Sequence, residues 1–148
     1  MNPPPNELSI GHAIAFILIY TSKYNDGEIR DNEFLMVLKS MKYWMGSDFS
    51  DEDLRKLLIE TDEWFQSGSN YERLYTLDKL IEMIKVQTSG NPSVLTELFE
   101  DCIFICASNN PKYDSLFTNE KDSSYGLILD ELMNEFPLLD KMKEKLLG

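Results

Sequence analysis

The side chains with the clearest chemical capacity lie in one short acidic turn. Asp26-Gly27 is followed, after five intervening residues, by Glu33. That spacing matches the second half of an EF-hand loop, where glycine makes the sharp turn and a bidentate glutamate closes an oxygen shell around a hard cation. Counting back from Gly27 puts Ser22 at the first ligand position and Tyr24 at the third, where such loops carry a carboxylate or an amide. A Ca²⁺ sensor loop therefore does not follow from the spacing. The same residues also answer a plainer need. Asp26-Gly27 makes a turn, and Glu33 falls in the first turn of the next helix, where negative charge is favourable.

Other reactive groups are sparse. The one histidine, His12, lies in an apolar helical stretch and reads as a core or cap residue. One histidine cannot supply the paired Glu-x-x-His motifs of a di-iron bundle, and Glu60 and Glu63 share a helix face without one. A zinc site needs more Cys or His than the chain offers. No nucleophile motif points to His12, and there is no glycine-rich phosphate loop, so the expectation is a protein that is not an enzyme. Cys102 and Cys106 sit four apart on one apolar helical face. A disulfide there would need strained geometry, so both read as reduced core thiols. Tyr43, Trp44, Trp64 and Phe65 fall at or near helix ends. They read as rim or core residues, or, around Lys42-Tyr43-Trp44, as a protein-binding patch.

The elements that must position these residues are helical throughout. A Pro-rich arm, 1–6, leads into a helix over about 6–23, whose stretch from Ala13 to Tyr20 is apolar on every side and so belongs at the centre of a bundle. A second helix, about 31–45, carries Phe34, Leu38, Met41 and Met45 at helical spacing. Ser50 caps a third, with Asp53 completing a capping box and Phe49 and Leu54 a hydrophobic staple. Leu54, Leu57, Leu58, Thr61 and Phe65 mark its buried stripe. After a loop at 66–70, a fourth helix follows Thr76 with Leu77, Leu80, Ile81 and Ile84 inward. Pro92 opens a fifth with Leu95, Leu98, Phe99, Cys102, Ile103 and Cys106 on its apolar face. Residues 109–119 read as irregular. A sixth helix, about 120–135, carries Ile128, Leu132 and Phe136, and Pro137 separates it from a short seventh over 138–147. The fold class is all-α, a compact bundle of about seven helices in one domain spanning 1–148.

The two halves echo each other. In the first, Ile19-Tyr20-Thr21-Ser22 leads to Asp26-Gly27-Glu28-Ile29 and then Glu33. In the second, Ile105-Cys106-Ala107-Ser108 leads to Asp114-Ser115-Leu116-Phe117 and then Glu120 or Lys121. On the segment from Tyr20 to Glu33 the chain resembles the TerB-like tellurite-resistance family: an apolar helix, an acidic Asp-Gly-x-Ile turn, and a glutamate six residues after the glycine. The resemblance implies two similar helical halves, an association with stress response and tellurite resistance, and a candidate divalent-cation site (Ca, Mg or Mn) in the turns. Its ligands would be Asp26, Glu28 and Glu33 in the first turn and Asp114 and Glu120 in the second, with Asp31 and Asp122 as outward-facing extras. Two positions depart from the family pattern. Arg30 stands where Ser or Thr often precedes the glutamate, and Lys121 stands where the second glutamate would align.

Charge narrows the partners. Asp plus Glu number 26 against 14 Lys plus Arg, a net charge of -12. Nucleic-acid phosphates and anionic membranes are repelled, and cations or basic proteins are favoured. The longest apolar run is too short to cross a bilayer, and no basic leader precedes it. The expectation is a cytoplasmic protein that works by binding a protein partner. The first reading is a TerB-like interaction module, and the second is an acidic inhibitor or immunity-type protein that masks a basic effector.

Overall fold

A helix apolar on every side has to be surrounded, and α1 (Ile10–Lys23) is: every residue from Gly11 to Ile19 is buried. The computed structural model describes residues 1–24, 27–118 and 124–148. Around α1 pack α2 (Asp31–Met45), α3 (Asp51–Gln66), α4 (Asn70–Gln87) and α5 (Pro92–Ala107). α5 is a second hub. It carries a short 3-10 helix (Pro111–Phe117), with α6 (Tyr125–Glu135) resting on that helix and α7 (Leu138–Leu147) on α5. The described residues thus form eight helices and no strand, an all-α bundle around one continuous core.

The core is set by helical spacing. Leu54, Leu57, Leu58, Thr61 and Phe65 of α3, and Leu77, Leu80, Ile81 and Ile84 of α4, are all buried. So is the apolar face of α5 that holds Cys102 and Cys106. Phe16 of α1 anchors an aromatic cluster, with Trp64 at 5.1 Å and Phe65 at 5.4 Å between ring centroids. Each such side chain removed from water contributes about 1.5–3 kcal/mol.

Capping chemistry decides where the helices begin, and it moves several expected boundaries. α1 starts at Ile10 rather than near Asn6, because Ser9 is its cap. The Ser9 N–H donates to His12 Nδ1 (3.1 Å), so a histidine occupies the place a Glu usually takes in a capping box. Accepting at Nδ1 leaves the neutral ring's proton on Nε2, which lies 3.4 Å from Glu60 Oε2. Ser50 and Asp53 form the expected box at α3. α4 starts at Asn70 instead of after Thr76, since Ser69 and Glu72 form a third box.

The stretch 109–119 is not wholly irregular. Asn110 Oδ1 accepts from the Lys112 N–H (3.0 Å), and Tyr113 and Leu116, three apart, are both buried, the period of a 3-10 turn. On α2 the fully buried side chains are Glu33, Val37, Ser40 and Met41, while Phe34, Leu38 and Met45 are only partly covered. The described part of the sixth helix begins at Tyr125, and residues 119–123 lie outside the described residues. The Pro-rich arm docks on the α3–α4 corner, with the Met1 amino group 2.8 Å from the Glu72 carboxylate and the Asn2 N–H donating to Ser67 Oγ (3.0 Å). Among the described residues no helix is long and apolar enough to cross a membrane.

Candidate functional site

The acidic turns come first. Glu33 is 2% exposed, and its Oε1 accepts the Arg30 N–H at 2.9 Å. It therefore caps α2, with Arg30 at the N-cap position. Glu28 and Asp31 are exposed, and Asp114 is exposed in the first turn of the 3-10 helix. Asp26, Glu120 and Asp122 lie outside the described residues. Ser22, at the first EF-hand position, is buried and donates its hydroxyl to Leu18 O (2.9 Å), which turns it back onto α1. The start of α2 meets the end of α5, where Asn32 Nδ2 donates to Ser108 O at 3.5 Å. Among the described residues no group of three or more His, Cys, Asp or Glu side chains is arranged to hold a metal ion.

A different constellation lies on the α2–α5 seam. Trp44 Nε1 donates to Asp101 Oδ2 at 2.7 Å, and Tyr43 OH donates to Glu97 Oε2 at 3.2 Å. The two rings meet edge-on, 5.6 Å apart. Glu97, Glu100 and Asp101 fall on one face of α5, because residues three and four apart are helical neighbours. Burial pushes the Asp101 carboxyl above its ordinary range, and the charges of Glu97 and Glu100 add to that, against the hydrogen bonds from Trp44 and Ser40. The hydrogen bond to Glu97 likewise raises the Tyr43 phenol. Lys42 turns away and pairs with Asp51 (2.8 Å). Among the described residues no cation pairs with Glu97, Glu100 or Asp101. The result is an exposed aromatic edge, Tyr43 at 68%, over an unneutralised carboxylate cluster. Such a surface suits an arginine or lysine side chain, through charge-assisted hydrogen bonds and the ring faces.

Sequence spacing draws attention to Tyr43 and Trp44 but not to Glu97 and Asp101. The i, i+4 acid pair was a readable signal, but its pairing with α2 is tertiary. The thiols are as expected: both are free and buried. Burial pushes Cys102 up to about 12, against a hydrogen bond from Thr21, and it pushes Cys106 higher still, with Cys102 and the nearby Glu33 adding. Neither is a nucleophile at neutral pH. Comparison of the chain with protein-family models, with curated proteins and with solved structures finds no match.

Proposed function

We propose that the chain is a TerB-like helical interaction module whose α2–α5 seam binds a basic protein partner. The observation that carries this reading is the pairing of exposed Tyr43 and half-buried Trp44 with Glu97 and Asp101, beside Glu100 and, among the described residues, without a compensating cation. Exposed ion pairs contribute only about 0–1 kcal/mol each, so affinity would come from desolvating the aromatic pair and Asp101. The net charge of -12 would act on the association rate, drawing a cationic partner in and disfavouring nucleic acid. The stress-response or tellurite-resistance setting and the cytoplasmic location belong to the same reading. So does weak binding of a divalent cation at the first turn, which would draw on Asp26 and Glu28 and would compete with the capping role of Glu33.

The same seam favours a second reading, an acidic inhibitor or immunity-type protein that masks a basic effector. The two differ in strength, since a masking protein must hold its partner through a high-salt wash. The experiment is affinity isolation with the wild-type chain and with a Tyr43→Ala, Glu97→Gln variant, followed by rising NaCl. The reading predicts a partner with a high isoelectric point that the wild type retains and the variant loses. Equal recovery by both chains, or an acidic partner, would overturn it.

A further inference from the structure

Where the C-terminal ends of α1 and α3 meet the start of α4, beside Gly27 of the acidic turn, lies an open cleft of about 730 Å³. Tyr20 and Lys23 enter from α1 with Tyr24 as its C-cap, and Tyr71 and Leu74 enter from α4 at a spacing of three. Phe65, at the end of α3, forms the floor. Its ring lies 4.5 Å from the Arg73 guanidinium and 5.5 Å from Lys23 Nζ, and Tyr20 meets it edge-on at 6.1 Å. The volume falls in the range of small-molecule sites, about 300–1,000 Å³.

Among the described residues that line this cleft the charges are not balanced. Lys23 is answered by Asp62 at 2.7 Å. On the flanking helix α4, Glu72 pairs with the Met1 amino group and Asp78 with Lys145. Arg73 meets no carboxylate among the described residues. Its Nε donates to Phe65 O (2.8 Å), one terminal nitrogen to Gln66 O (3.3 Å) and the other to Asn70 Oδ1 (3.4 Å). A guanidinium has five N–H donors in a fixed fork, so these bonds orient it without saturating it. An acidic protein here keeps a cation among aromatic rings, and among the described residues its hydrogen bonds go to carbonyl oxygens.

We propose that this cleft binds a small planar aromatic anion, its ring set among Tyr24, Tyr71 and Phe65 and its acidic group on Arg73. Aromatic walls supply stacking area at low entropic cost. The half-neutralised cleft makes the anionic end the selective feature, although the chain as a whole repels anions. This activity lies beyond partner binding at the α2–α5 seam and does not depend on it.

The test is calorimetric titration of the intact chain with naphthalene-2-sulfonate, neutral 2-naphthol and cationic 2-naphthylmethylamine. The expected order of affinity is sulfonate, then naphthol, then amine. Arg73→Gln keeps a donor for the carbonyls and should weaken the sulfonate on the order of ten-fold while leaving naphthol within about two-fold. Tyr71→Ala, at a 78% exposed position, should weaken all three probes without unfolding the chain. If Arg73→Gln fails to fold, the wild-type charge order and Tyr71→Ala decide the matter. Arg55→Gln is the control, because Arg55 and Phe34 border a separate apolar cleft of about 290 Å³. Tighter binding of the amine than the sulfonate would overturn the proposal. So would no binding of any probe, or loss on Arg55→Gln with none on Arg73→Gln.

Discussion

The two tryptophans mark two regions built from similar residues to opposite ends. Trp64 lies in the interior around α1, 5.1 Å from Phe16, and its indole N–H meets no acceptor among the described residues. Trp44 lies on the α2–α5 seam, with its N–H on Asp101 and its ring against exposed Tyr43. The interior spends aromatic surface on packing and tolerates an orphan donor. The seam holds carboxylates close to rings, where burial and like charge raise Asp101. The first arrangement lowers the free energy of the fold. The second leaves unfavourable charge at the surface, which fits a binding face better than a structural one.

The largest expected effect separates the two indoles. Trp64→Ala should cost about 3–5 kcal/mol in urea melts, as a large side chain lost from a packed core. Trp44→Ala should cost less than half as much, because its site is partly open to solvent. Equal costs would mean that the seam is core and not a face. Ile17→Ala, at a position 0% exposed on α1, should cost about 2–5 kcal/mol, and Ile103→Ala on α5, at 5% exposed, should fall at the lower end of that range. The reverse order would make α5 the centre of the bundle.

A third effect depends on pH. The Cys102 thiol is raised to about 12 in the fold and has its ordinary value of about 9 in the unfolded chain. Between those values the unfolded chain releases a proton that the folded one keeps. Stability is therefore full below about pH 9 and falls as pH rises toward 12. Denaturant melts of a Cys102→Ala, Cys106→Ala variant should show a shallower alkaline decline than the wild type, and an identical slope would show that the thiols do not drive it. The smallest effect sharpens the seam. Asp101→Asn keeps an acceptor for Trp44 and removes a charge beside Glu97 and Glu100. It should raise the melting temperature at pH 7 by about 2 °C. A fall would show that the ionised carboxylate is structural.

Much of the fold was legible in the sequence, and the limits are physical. The all-round apolar run of α1 and the stripes of α3, α4 and α5 named the core, because burial follows helical period. Ser50 with Asp53 located α3. Ser69 with Glu72 carries the same signature for α4, but it is masked by the Gly and Ser residues around it that suggest a loop. His12 was legible as a core or cap residue, but its pairing with Ser9 was not, since His is not the usual partner in a capping box. At the turns, the sequence singled out Glu33 as either a cap or a cation ligand, and its buried bond to the Arg30 N–H shows the cap. Asp26 and Glu120 lie outside the described residues. The seam was half legible. Tyr43 and Trp44 stand out by type, whereas Asp101 is 57 residues from Trp44 and is joined to it only by the packing of α5 on α2.

The most direct measurement follows both indole N–H resonances by NMR while a hexa-arginine amide is titrated into the chain at low salt. The account predicts that the Trp44 resonance shifts saturably and returns on adding NaCl, while that of Trp64 stays in place. No shift at Trp44, or a shift at Trp64 as large as that at Trp44, would contradict it.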